Sequence, residues 1–140
     1  MKNRGAAILA VATVLVVLYV IPSLRTTLVW PLLEGRTFSS QFLWFEPVHA
    51  IYWAFAFAWS FAAGAIGAAV FPSSWLQAAA MTGAVAGLTR ALTTRNWIAE
   101  HAGWSTYVWV YGEYFVPLVG AIVGAALVHR LLTWRRLSAT

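Results

Sequence analysis

Long runs of apolar residues divide the chain, and each is about as long as a helix that crosses a lipid bilayer. The runs cover residues 5–21, 48–71, 75–92 and 114–132. A spanning helix needs about 20 mostly apolar residues, because the hydrocarbon core of a bilayer is about 30 Å thick. The pattern therefore predicts an all-α integral membrane protein: one domain, residues 1–140, built as a bundle of four transmembrane helices.

Proline and serine residues mark the predicted ends of these spans. Pro22 stops the first run, and Pro72-Ser73-Ser74 is so short a link that the second and third spans should form an antiparallel hairpin. Residues 74–77 match a capping box at the start of the third span. Pro117 lies either in the first turn of the fourth span or at a kink within it, and that span can begin as early as Ser105.

The connections 22–47 and 93–113 are too apolar for solvated loops, and we expect both to lie in the membrane interface. In the second one, Thr94 to Gly103 predicts a separate short helix with Thr94 as its N-cap. Aromatic rings at such positions typically form a belt at the membrane surface. A pocket for a lipid, a quinone or a pigment is the alternative. The rings of the belt are those of Trp30, Trp44, Trp97, Trp104, Trp109, Tyr107, Tyr111 and Tyr114. Those assigned to the possible pocket are Trp44, Trp97, Trp104, Trp109 and Tyr111.

Small residues at a spacing of four occur in the last three spans. Membrane helices associate by close packing at such residues, since lipid tails are as apolar as leucine. The sequence therefore predicts a tight bundle of spans two to four, within one chain or between chains. The first span has no such motif, and we expect it to face lipid or another subunit. The motifs pair Ala63 with Gly67, Gly83 with Gly87, and Gly120 with Gly124.

The composition excludes several classes of protein. Of the 140 residues, 61% are hydrophobic and 9% are charged, whereas about 25% of the residues of a typical soluble domain are charged. An ordinary cytosolic enzyme and a nucleic-acid-binding module are excluded, despite a pI near 10.3. Cysteine is absent, which excludes disulfide frameworks, thiolate metal sites and cysteine nucleophiles.

The charges are distributed unequally between the two predicted sides of the membrane. Four glutamates lie in the outer connections, and four arginines lie there or, in the case of Arg90, at the outer end of the third span, so the net charge of +5 belongs to the opposite side. Basic residues favour the cytoplasmic side, which predicts cytoplasmic termini in the inner membrane of a bacterium or archaeon. The residues of that basic side are Lys2, Arg4, Arg130, Arg135 and Arg136.

The outer side thus collects a candidate polar cluster. Glu46 and His49 have the Glu-x-x-His spacing of carboxylate-bridged di-iron bundles, but such a site needs two of these motifs and two further glutamates. The sequence therefore favours a glutamate–arginine pair with a polar histidine, and no metal ligand is assigned. Haem held by His49 and His101 remains an alternative. The cluster comprises Glu46, His49, Arg90, Arg95, Glu100, His101 and Glu113.

Glu113 is the most informative member of this cluster. If the fourth span begins near Ser105, the Glu113 carboxylate lies inside the bilayer and must be paired, because ionisable groups at that depth are expensive. Arg90 and Arg95 are the expected partners. The pair would be either a structural clamp or a gate for anions or protons.

No catalytic residue is assigned, because the sequence has no nucleophile elbow, phosphate-binding glycine loop or His-Glu helix motif. The leading hypothesis is a non-catalytic accessory subunit of a larger respiratory, photosynthetic or transport complex. Its expected partners are the lipid bilayer and other membrane subunits, identical or different, with possible contacts to lipid, quinone or pigment. A small homo-oligomeric transporter or channel is the alternative. A membrane enzyme or cofactor carrier that uses the outer glutamates and histidines is the second alternative.

Overall fold

The computed structural model describes residues 3–34, 47–100 and 104–138, and these form helices throughout. A first helical stretch comprises α1 (Asn3–Leu15), a π-helix (Val16–Val20), α2 (Ile21–Leu28) and α3 (Trp30–Leu33). The others are α4 (Pro47–Val70), α5 (Trp75–Glu100) and α6 (Trp104–Leu137), with a 3₁₀ turn at Pro72–Ser74 between α4 and α5. The predicted all-α fold is confirmed.

In the described part of the chain, three helical segments are long and apolar enough to cross a membrane. They are Arg4–Leu32, Ala50–Val70 and Gly112–Arg135. The predicted third span lies in α5, which has 26 residues and hence the necessary length. Its sequence contains Gln77, Arg90 and several threonines, which make it more polar than the other three.

The first helical stretch does not end at Pro22, so the predicted boundary there was wrong. Proline has no N–H group and clashes with the carbonyl group four residues earlier in a regular α-helix. Here the five residues Val16–Val20 adopt the wider π-helix directly before α2, in which Pro22 occupies the first turn. A π-helical turn inside an α-helix changes the hydrogen-bonding register, and the chain continues in helical form to Leu33.

The predicted short helix from Thr94 was also wrong, because α5 continues without a break to Glu100. The Thr93 hydroxyl shows how a threonine is accommodated at this point. It donates to the carbonyl oxygens of Thr89 and Arg90, each at 3.0 Å, and so bonds within the helix instead of capping a new one. Helix α6 begins at Trp104, one residue before the earliest start that we considered for the fourth helix, and it contains Pro117 in its interior.

Glycines allow α4, α5 and α6 to approach one another closely. A Cβ atom at Gly124 would meet the backbone carbonyl group of Phe61 in α4, and one at Gly120 would meet Ser60. Between α5 and α6, a Cβ atom at Gly87 would lie 2.7 Å from the carbonyl oxygen of Tyr114, and one at Gly83 would lie 2.5 Å from the Cα atom of Leu118. The predicted faces on α5 and α6 therefore make contacts within one chain.

On α4 the glycine that lies closest to another helix is Gly64, one position after Ala63 of the predicted Ala63–Gly67 pair. A Cβ atom at Gly64 would meet the backbone of Ala121 in α6, whereas one at Gly67 would make ordinary contact with the Ala78 side chain at 3.7 Å. Ala68, Ala79 and Ala125 fill the small core beside it. Helix α1 lies outside this unit and packs mainly against α5.

The helix directions bring distant parts of the sequence to the same end of the molecule. The Trp75 ring at the start of α5 stacks on the His129 ring near the end of α6, with ring centroids 4.9 Å apart. Ile8 and Val70 line one groove, while Arg25 lies near Glu113 at the other end. The beginning of α1, the link between α4 and α5, and the end of α6 therefore share one end of the bundle.

Candidate functional site

Glu113 of α6 and Arg90 of α5 form a buried ion pair, as the sequence led us to expect. The Nε atom of Arg90 donates to Oε2 of Glu113 at 2.9 Å, and Nη2 donates to the same oxygen. The Glu113 side chain is 9% exposed and that of Arg90 is 15% exposed. The pair joins two helices whose backbones are held together by Gly83 and Gly87, so the helix packing fixes the position of both charged groups.

A second arginine, Arg25 of α2, completes the cluster. Its Nη1 atom lies 3.8 Å from Oε1 of Glu113, the oxygen that Arg90 does not use in these two bonds. The Arg25 guanidinium also lies over the Tyr52 ring, 5.7 Å from its centroid, within the range of a cation–π interaction. At 34% exposure, the Arg25 side chain is the most accessible of the three.

The walls of the site come from the first helical stretch and from α4. A cavity of about 20 Å³ adjoins the three charged side chains. A water molecule needs about 10–15 Å³ of such volume together with two to four polar partners, so the cavity has room for one. Next to Glu113, the Trp53 indole covers Gly112, where a Cβ atom would collide with the ring. The cavity is lined by Ile21, Pro22, Arg25, Tyr52, Phe55, Ala56, Trp59, Arg90, Glu113 and Pro117.

Two guanidinium groups and one carboxylate give this cluster a formal net charge of +1. Arg90 is 15 residues into α5, about 22 Å from the start of the helix at 1.5 Å per residue. An uncompensated charge that is buried between helices is costly, and buried charges are usually paired. The arrangement therefore neutralises Glu113 and Arg90, while Arg25 remains able to attract an anion or to hold water.

Other members of the predicted polar cluster fall outside the described part of the chain. Glu46 and His101 are not described at all, and the side chains of His49, Arg95 and Glu100 are not described. Most of the predicted belt lies there too, including the side chains of Trp44, Trp97, Trp104, Trp109 and Tyr111, whereas Trp30 is described and exposed. A metal or haem site on the outer side therefore remains a hypothesis.

Arg25 is the site residue that sequence reasoning missed. It was assigned to an interfacial connection because the first span was expected to stop at Pro22. The signal was a spacing of four that continues through the proline, from Thr13 to Val17, Ile21, Arg25 and Val29. All of these except Arg25 are buried, and Arg25 is partly buried. Such a spacing places residues on one face of a helix.

A scan against protein-family models and searches of curated proteins and of solved structures found no match for this chain.

Proposed function

We propose that this protein is a non-catalytic subunit of a larger membrane assembly, in which it crosses the membrane four times with both termini in the cytoplasm. We assign the fourth crossing to α5, because Thr82 and Arg90 in its middle are covered by the other helices of the bundle, while Gln77 and Thr93 are exposed. The Arg90–Glu113 pair is the clearest example of such internal compensation. Buried positions Ala78, Ala79, Thr82 and Ala86 on the same helix agree with this assignment.

The observation that carries the proposal is the closed geometry of the charged cluster. Its adjoining cavity of about 20 Å³ has room for about one water molecule. Two nitrogen atoms of Arg90 donate to Oε2 of Glu113, which is the arrangement expected of a clamp between α5 and α6. A clamp that fixes helix positions supports the assembly of other chains around it and requires no chemistry of its own.

The outer surface of α1 supports a role in lateral assembly. In the most apolar part of the first spanning segment 17% of the residues are buried, compared with 28% in each of the other two spanning segments. Val11 and Leu15 are exposed on it, and so is Tyr19. This is the least covered of the spanning surfaces, and we assign it the contact with another subunit.

The proposal is tested by what co-purifies with the chain in a mild detergent from its own host. We expect a stoichiometric membrane partner, and we expect Val11→Trp on α1 to reduce its recovery severalfold. Val119→Trp on the exposed face of α6 is the matched control, since Val119 has a similar exposure and should retain the partner. A chain that purifies alone, is monodisperse and carries out transport or turnover contradicts the proposal.

A small homo-oligomeric transporter is a second candidate function, and the net charge of +1 at the cluster favours it. In that case Arg25, which is 34% exposed, attracts anions to a path between subunits. The test is chloride flux into liposomes that contain the purified protein. Arg25→Gln should lower the flux without unfolding the chain, and a flux that is unchanged in Arg25→Gln removes this role.

A further inference from the structure

A second cavity, an apolar groove between α1 and α4, lies away from the charged cluster. Its volume is about 300 Å³, the lower end of the range of small-molecule sites. Ile8, Ala12 and Val16 line it from α1, and Ala63 and Ile66 line it from α4. Thr82 of α5 also lines the groove, and its residue exposure is only 3%.

The Thr82 hydroxyl has no hydrogen-bond partner within the described part of the chain. Every other threonine whose side chain the structure describes donates to a backbone carbonyl oxygen in its own helix. Thr13, which lines the same groove, donates to Leu9 at 2.8 Å, and Thr89, two turns further along α5, donates to Val85 at 2.7 Å. The remaining examples are Thr26, Thr27, Thr93 and Thr133. Thr82 is thus the exception among them.

A buried hydroxyl without a partner is costly, since a hydrogen bond to water was given up on burial. Thr82 is two turns into α5, about 10 Å from Trp75 along the helix axis. In the proposed four-span arrangement, on which this step rests, the medium at this depth is hydrocarbon, so an apolar molecule from the bilayer is the natural source of an acceptor oxygen. The other lining residues are apolar except Thr13, whose hydroxyl is already bonded, and Trp59, whose indole carries one N–H group.

We propose that the groove binds an elongated apolar molecule that carries a hydrogen-bond-accepting oxygen. The Thr82 oxygen is itself covered in this structure, so the hydroxyl turns toward the groove by rotation about χ1, which exchanges it with the methyl group, and then donates to the oxygen of the ligand. A groove of about 300 Å³ is at the lower end of the size range of small-molecule sites, so it holds part of an elongated ligand. An aliphatic or isoprenoid chain that ends in a carbonyl group fits this description. The carbonyl group of a lipid-soluble quinone and the ester carbonyl group of a phospholipid provide the same chemistry.

The test is a titration of the purified chain in maltoside micelles by calorimetry. The probes are a benzoquinone with a ten-carbon chain, a phospholipid with ten-carbon acyl chains, and an alkylbenzene with the same ten-carbon chain but no oxygen. We expect Thr82→Val to raise the dissociation constant of whichever carbonyl-containing probe binds. The increase should be about two- to tenfold, which is the effect of one hydrogen bond. The alkylbenzene should bind equally to both proteins. The tighter of the two carbonyl probes identifies the source of the ligand.

Matched variants separate this role from a general effect on folding. Thr82→Ser retains the hydroxyl and should restore binding, and Thr89→Val removes a hydroxyl that is already bonded and should leave binding unchanged. Ala12→Leu fills the groove from an exposed position of α1 and should abolish binding. Ala7→Leu, also exposed but outside the groove, should not. The proposal is overturned if no carbonyl probe binds, if Thr82→Val binds as tightly as the unaltered chain, or if Ala12→Leu still binds.

Discussion

Arg90 binds one oxygen of the Glu113 carboxylate through two nitrogen atoms, and the other oxygen is turned toward Arg25. The first contact includes a hydrogen bond of 2.9 Å, and the second is a looser approach of 3.8 Å. The two arginines therefore differ in their roles. Arg90 is locked into the packing of α5 against α6, whereas Arg25 is held more loosely by charge and by the Tyr52 ring.

This difference leads to a prediction about Glu113. Glu113→Gln removes the negative charge between two arginines, and it should lower the free energy of unfolding by about 3 kcal/mol, as expected when one partner of a buried pair is lost. Stability is measured by titrating SDS into maltoside micelles and following helical circular dichroism. Glu34→Gln is the control, because Glu34 is exposed and should change stability little.

The same pair can be replaced as well as broken. Arg90→Met combined with Glu113→Leu removes both charges, and it should recover most of the stability lost in Glu113→Gln, because apolar groups of similar volume often substitute for a buried ion pair. If the double variant is less stable than Glu113→Gln, the hydrogen bonds of the pair contribute to the free energy of unfolding in addition to the neutralisation of the two charges.

The glycine contacts predict unequal effects for the same substitution. Gly64→Ala and Gly124→Ala place a methyl group against the backbone of the facing helix, and each should cost about 1–3 kcal/mol through overpacking. Gly67→Ala meets only the Ala78 side chain at 3.7 Å, and it should leave stability unchanged or raise it by up to about 1 kcal/mol through helix propensity. Equal losses at all three positions would contradict the observed packing of α4 on α6.

The proposed topology predicts a labelling pattern that the chain is well suited to reveal. Since the sequence has no cysteine, single-cysteine variants give no background with a membrane-impermeant maleimide. Ser73→Cys and Ser138→Cys should be protected in intact cells and labelled after lysis, whereas Glu34→Cys should be labelled in intact cells. Labelling of Ser73→Cys and Glu34→Cys from the same side would exclude the four-span arrangement.

The stacked rings of Trp75 and His129 predict an energetic coupling between the start of α5 and the last turns of α6. A double-mutant cycle with Trp75→Leu and His129→Leu should give a coupling energy of about 0.5–1.5 kcal/mol, the range of aromatic pairs. The control cycle pairs Trp75→Leu with Arg130→Leu, since Arg130 is exposed, and its coupling energy should stay below about 0.5 kcal/mol. A coupling of equal size in both cycles would mean that the stacking is not the cause.

The sequence predicted the features that depend on length and residue size. The run from Val48 to Phe71 became α4 almost residue for residue, and the glycines of α5 and α6 became the contacts between these helices. The pairing of Glu113 with Arg90 followed from the cost of burying a carboxylate in hydrocarbon. Such features require no knowledge of how the helices are arranged.

The features that the sequence did not predict depend on compensation by other parts of the chain. Pro22 ends an isolated regular helix, but a π-helical segment before it allows the stretch to continue and carries Arg25 to the site. Thr94 resembles an N-cap, yet the helix passes through it. The closest approach on α4 fell at Gly64, because the rotation of a helix about its axis is set by its partners.

The Trp59 side chain lines both the small cavity beside the charged cluster and the apolar groove beneath α1. The two cavities therefore share one residue. A substitution of Trp59 is expected to alter the shape of both, so the charged cluster is best probed at Glu113 and the groove at Thr82.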